Sequence, residues 1–72
     1  MAEVTVTAEV AGTVWKNLVQ VGQQVEADQE LMILESMKME IPVHAPQAGT
    51  ITAVLVAEQD AISEEQPLLR IG

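Results

Sequence analysis

The chain has 72 residues, a mass of 7.8 kDa and a formal net charge of −8 from three basic and eleven acidic side chains. That length holds one hydrophobic core and one domain, residues 1–72, because halves of about 36 residues would each fall below the size that usually folds unaided. With no cysteine, one histidine, one Trp and no Phe or Tyr, the composition excludes disulfide staples and a structural zinc site, and it offers neither the cationic face nor the stacking platforms of a nucleic-acid binder.

Ten Val, five Ile and six Leu make 21 large aliphatics, enough for a globular core despite the charge. No apolar stretch approaches membrane-spanning length, and Met1 is followed by no basic, apolar export segment. A cytoplasmic, monomeric protein without membrane or nucleic-acid partners is expected, its partners being proteins or positively charged surfaces.

The chain reads as a series of short strands with period-two alternation. Val4, Val6 and Ala8 alternate with Thr5 and Thr7 in the first, near 3–8. Gly12 introduces a strand near 12–20, and Gly22 punctuates before a short one near 24–27. Strands near 30–35 and 39–44 follow, then a run opened by Gly49 near 49–57 in which Ile51, Ala53 and Leu55 alternate. The last two lie near 61–64 and 67–71, with Ala45-Pro46 and Gln66-Pro67 as turn signals. Pro42 has no amide hydrogen to donate, so its strand belongs at a sheet edge or a bulge. Glu26, Asp28 and Glu30 alternate like a solvated strand face and lack the spacing of a calcium loop, so no metal is expected. Trp15 is expected as a partly buried cover on the core, and His44 as a surface residue at a strand end.

These strands fall into two copies of one pattern. Residues 4–34 overlay without gaps on 41–71 with a shift of 37. Val6/Val43, Ala8/Ala45, Ala11/Ala48, Gly12/Gly49, Thr13/Thr50, Leu18/Leu55, Val19/Val56, Gln29/Gln66 and Leu31/Leu68 are identical. Apolar type is kept at Val4/Ile41, Val14/Ile51, Val25/Ile62, Met32/Leu69 and Leu34/Ile71. Four strands per half predict an all-β fold, a flattened antiparallel barrel or sandwich of two four-stranded sheets with pseudo-twofold symmetry.

The midpoint of the repeat falls between Met37 and Lys38, within Glu35-Ser36-Met37-Lys38-Met39-Glu40. Almost no spacer separates the flanking strands, so a tight hairpin is required. Two-residue hairpins favour Asn-Gly or Asp-Gly because their central residues take positive φ, and Met-Lys is a poor substitute. A local choice that contradicts the required geometry points to a functional constraint. Periodicity alone also permits an ordinary amphipathic strand with Lys38 on its solvated face. The symmetry is what puts Lys38 at a tip.

The run Glu35-Ser36-Met37-Lys38-Met39-Glu40 resembles the Glu-(Ala/Ser)-Met-Lys-Met attachment motif of biotinyl domains, the biotin carboxyl carriers of biotin-dependent carboxylases. Ala45-Pro46 and Gly49-Thr50-Ile51 continue that pattern, and the minimal length with Trp15-Lys16 after Gly12 is similar to the short stand-alone biotin/lipoyl attachment proteins. The resemblance implies a biotinyl/lipoyl-type barrel-sandwich fold and a non-catalytic carrier. It implies covalent biotin on Lys38, joined by a biotin protein ligase. As carboxybiotin, the group would carry CO2 between biotin carboxylase and carboxyltransferase components acting in trans. Met37 and Met39 would serve recognition and positioning, with Glu35, Ser36 and Glu40 as the motif's context. An alkylammonium is no nucleophile, so the ligase site must take a proton from Lys38 before attack. The sequence departs from the family pattern at Gln59-Asp60, Gly22-Gln23, Ala27-Asp28 and Glu64-Glu65, where turn glycines or Gly-Asp pairs are usual.

Two rival readings remain. A lipoyl domain shares the fold and would carry lipoate on the same lysine, but typically reads Asp-Lys-Ala there. An unmodified β-barrel interaction module would leave Lys38 a mere surface charge. Lys16, the other lysine, has Ala53 as its repeat mate and no turn-like context. Neither a catalytic base nor a nucleophile is assigned.

Overall fold

The computed structural model describes residues 3–72, so the first two residues of the expected domain lie outside the described part. Eight strands follow in order: β1 (Val4–Thr7), β2 (Gly12–Asn17), β3 (Gln24–Val25), β4 (Glu30–Ser36), β5 (Met39–His44), β6 (Gly49–Val54), β7 (Ala61–Ile62) and β8 (Pro67–Ile71). All eight expected strands are present. Those expected at 12–20, 24–27, 49–57 and 61–64 stop two or three residues early, where the chain leaves one sheet for the other.

The strands form two antiparallel four-stranded sheets, ordered β1-β8-β6-β3 and β5-β4-β2-β7. Shifting by 37 turns one order into the other. Each sheet takes two strands from each half, so neither half closes a core alone. The registers repeat too: Val4 opposite Ile71 is matched by Ile41 opposite Leu34, and Val6 opposite Leu69 by Val43 opposite Met32. Pro42 lies on edge strand β5, where its missing donor breaks no ladder.

The core is built from repeat mates. Ala8/Ala45, Val14/Ile51, Val19/Val56, Val25/Ile62, Leu31/Leu68, Met32/Leu69 and Leu34/Ile71 are all buried, together with Val6, and its half-buried mate Val43 packs against this cluster. Each large side chain removed from water in this way stabilises by roughly 1.5–3 kcal/mol before the entropy of ordering is subtracted.

The turns between strands keep the symmetry even where the sequence departs from it. Gly22 and its mate Gln59 have φ of +93° and +80°, and Asp28 and its mate Glu65 have +68° and +69°. Each occupies the third position of a four-residue turn closed by a backbone bond, such as Gln23 N–H to the Gln20 carbonyl at 3.1 Å and Asp60 N–H to the Ala57 carbonyl at 3.1 Å. A side-chain oxygen at the fourth position accepts the amide of the first: Gln23 from Gln20, Gln29 from Glu26, Asp60 from Ala57 and Gln66 from Ser63, at 2.8–3.2 Å. That second bond holds Gln59, Asp28 and Glu65 in the left-handed region without glycine. Asp28 therefore lies in a turn, and the expected strand face of Glu26, Asp28 and Glu30 is not formed, although all three are exposed.

Four register shifts, in two mated pairs, complete the shape: the β4/β5 register slips at Leu31 and the β1/β8 register at its mate Leu68. The β2/β4 register slips at Trp15 and the β6/β8 register at its mate Thr52. The extra residue lies outside the in-out alternation, which leaves Trp15 38% exposed rather than covering the core.

Candidate functional site

β4 and β5 are joined by Met37 and Lys38 alone, above a last cross-strand pair of Ser36 and Met39. Met37 has φ of +52° and Lys38 of +65°. Positive φ at both central residues is the requirement of a type I′ hairpin, and two side chains in that region cost about 1 kcal/mol or more each. The turn's own residues do not favour it. The ladder beneath imposes it, because Leu34 opposite Ile41 and Met32 opposite Val43 fix the register through the core.

One step below the turn, Glu35 lies directly opposite Glu40. Like charges facing each other across a strand pair are unfavourable, by a few tenths of a kcal/mol when solvated. On its other side Glu35 pairs with Thr13, next to Gly12. A Cβ on Gly12 would collide with the Glu35 carbonyl oxygen and lie 3.3 Å from Ser36 Cβ. Gly12 thus lets β2 approach the base of the hairpin. This supporting role was not among the sequence expectations, although the Gly12/Gly49 identity was its signal.

The tip is open to solvent. Met37 is 93% exposed and Met39 62%, Lys38, Glu35 and Glu40 are exposed, and Ser36 is half-buried. Lys16 is placed differently. It lies within β2 opposite Ile33, its Nζ 5.5 Å from the centre of the Trp15 ring, so a neighbouring aromatic face already engages that amine. His44, exposed, ends β5 opposite Glu30. A surface recess lined by Asn17, Leu18, Val19, Gln20 and Gln23 belongs to the β2–β3 loop and not to the hairpin.

Six residues singled out in the sequence are therefore contiguous on one protruding turn, with Lys38 at its apex. A primary amine on a two-residue turn, backed by a rigid ladder and open on its exposed sides, suits acylation inside another protein's active site. The same amine could hold a prosthetic group that carries a carboxylic acid. The molecule defined by this fold and site is a β-barrel that presents one lysine.

Comparison with known proteins places that arrangement. The biotin/lipoyl family model described as "Biotin-requiring enzyme" matches residues 4–71, and the chain belongs to this family. It is 44% identical over 68 residues to the biotin/lipoyl attachment protein of Bacillus subtilis, covering 94% of this chain and 93% of that protein. It is 42% identical over 68 residues to the biotin carboxyl carrier protein of Streptococcus mutans, covering 94% of this chain and 52% of the relative. The Kluyveromyces lactis urea carboxylase contains a similar structure, with a TM-score of 0.93 and 28% identity over 100% of this chain and 6% of that one. The chain thus spans nearly all of one relative, about half of the second and a small part of the third.

Proposed function

We propose that this protein is a biotin carrier whose Lys38 is acylated by a biotin protein ligase. The observation that carries the reading is the placement of Lys38 at the apex of a strained two-residue hairpin at the junction of the two half-barrels. Biotin, once joined, supplies a ureido ring able to carry a carboxyl group from one active site to another. The chain's own residues hold the attachment point. The β4–β5 ladder fixes the backbone of the tip, which reduces the entropy lost when a partner docks. Met37 and Met39 present apolar thioethers on either side of the amine for the ligase to recognise. Amide formation removes one positive charge from an already acidic surface. Tethering then keeps the carried group at a high effective concentration near both partner sites.

The carrier itself is non-catalytic, acts as a single monomeric domain in the cytoplasm, and serves carboxylase and carboxyltransferase sites on other chains. The names of its relatives, which include carboxyl carriers and carboxylases, support the carrier role alone. Met on both sides of Lys38 favours biotin over lipoate.

Intact mass after incubation with biotin protein ligase, ATP and biotin tests the proposal, with lipoyl ligase and lipoate in a parallel arm. The expected result is a single biotinyl addition on the peptide containing Lys38. Addition in the lipoate arm alone would reassign the cofactor, and an unshifted mass in both arms would leave an unmodified interaction module.

A further inference from the structure

Of the three methionines among the described residues, Met32 is fully buried, whereas Met37 and Met39 are 93% and 62% exposed and flank the one lysine at the tip. With no cysteine in the chain, thioethers are its oxidisable sulfur, and these two stand outside the core where a small oxidant reaches them. We propose that Met37 and Met39 form a reversible, peroxide-sensitive modification site that gates acylation of Lys38. The inference rests on the reading of Lys38 as the acylated residue.

The chemistry balances with a peroxide as oxidant. The thioether sulfur attacks the O–O bond and takes one oxygen; the sulfide is oxidised by two electrons to the sulfoxide and the peroxide is reduced to water. Methionine sulfoxide reductases reverse the change, with two thiols oxidised to a disulfide and the oxygen leaving as water. The consequence is local. A flexible apolar group becomes a polar, chiral one, and an acylating enzyme that closes over the tip must then desolvate an S=O group beside the amine. Because neither side chain belongs to the core, oxidation there leaves the barrel intact. At Met32 the same change would disrupt the packing between the sheets.

The test uses the whole unmodified chain, treated with hydrogen peroxide and mapped by peptide mass. Met37 and Met39 are expected to gain one oxygen each before Met32 does, with the thermal midpoint unchanged. The initial rate of labelling by biotin ligase should fall by about tenfold or more, the scale on which one misfit group in an apolar pocket is discriminated. Incubation with the two methionine sulfoxide reductases and a thiol should restore it. In the double variant Met37→Leu/Met39→Leu, the ratio of treated to untreated rates should be one, whatever the starting rate. Equal labelling of the oxidised and untreated chains would overturn the gate. So would an equal fall in the double variant, a fall accompanied by loss of thermal stability, or failure of reduction to restore the rate. If the untreated chain is not labelled at all, the carrier reading fails first and the gate with it.

Discussion

The hairpin end and the terminal end of this barrel occupy equivalent places in its pseudo-twofold symmetry, yet they are finished differently. At the terminal end β8 and β1 stop with Ile71 opposite Val4, Gly72 and Thr50 exchange both backbone hydrogen bonds at 2.8 and 2.9 Å, and the Thr52 hydroxyl donates to the Glu3 carboxylate. At the hairpin end the chain runs straight through the same position. Glu35 faces Glu40 there, and Met37 and Lys38 take left-handed conformations without repeat mates. The difference separates what the fold needs from what the tip adds. Left-handed residues at the mated turns are held by side-chain acceptors on backbone amides, whereas the hairpin is imposed by the ladder beneath it. One end relaxes its local contacts; the other keeps an exposed amine in a conformation its own residues disfavour.

The largest effect expected from breaking this contrast is loss of the amine. Lys38→Arg should abolish biotin labelling, read as an unshifted intact mass, while stability stays within about 0.5 kcal/mol because the side chain is exposed. Lys16→Arg should leave labelling unchanged. Next comes the glycine pair beneath the two ends. A Cβ on Gly12 collides with the Glu35 backbone, which cannot rotate away; on Gly49 it would lie 2.6 Å from the Cγ2 of buried Ile71 and 2.9 Å from the Gly72 carbonyl oxygen, a milder overlap. Gly12→Ala should therefore cost about 2–3 kcal/mol and Gly49→Ala about 1 kcal/mol in denaturant unfolding. Only Gly12→Ala should also slow the labelling of chains that remain folded, since it displaces the base of the hairpin. Equal labelling of the two variants would show that the glycine does not position the tip.

Much of this architecture was legible in the sequence because symmetry supplied a second copy of every signal. A lone Val25 or Ile62 in a two-residue strand is a weak indication, but each gains meaning from its mate. The hairpin was legible for the opposite reason, as a turn required by the repeat where no turn residues stood. Interleaving of the halves was not legible, since the overlay fixes which strands correspond and not which strands pair. Strand ends were missed where apolar residues continue past the end of the strand, as at Leu18 and Val19 after β2. Trp15 was misplaced because a bulge adds a residue without leaving a mark in the alternation. The left-handed turns at Asp28 and Glu65 were obscured by the absence of glycine, which the acceptors Gln29 and Gln66 compensate.

A smaller effect tests the mated turns. Gln59 holds a φ of +80° where its mate is Gly22, and the space beside Gly22 is open. Gln59→Gly should raise stability by a few tenths to about 1 kcal/mol, the relief of left-handed strain being partly offset by the freedom glycine adds to the unfolded chain. Gly22→Ala should lower it by about 1 kcal/mol through φ alone. Paired denaturant midpoints check both signs, and movement in the same direction would mean that the two turns are not equivalent.

The finest test is at the tip itself, where stability and recognition should part. Asn tolerates the left-handed region better than Met and is the usual first residue of a type I′ turn, so Met37→Asn should stabilise the hairpin by about 0.5 kcal/mol or slightly more. The same change removes the exposed thioether beside Lys38, and labelling by biotin ligase should slow although the amine and its ladder are untouched. Thermal midpoint and initial labelling rate, measured on one preparation, should therefore move in opposite senses. A variant that gains stability and labels as fast as the parent would mean that Met37 is an inherited strain with no part in recognition, and that the ladder alone specifies where the lysine is offered.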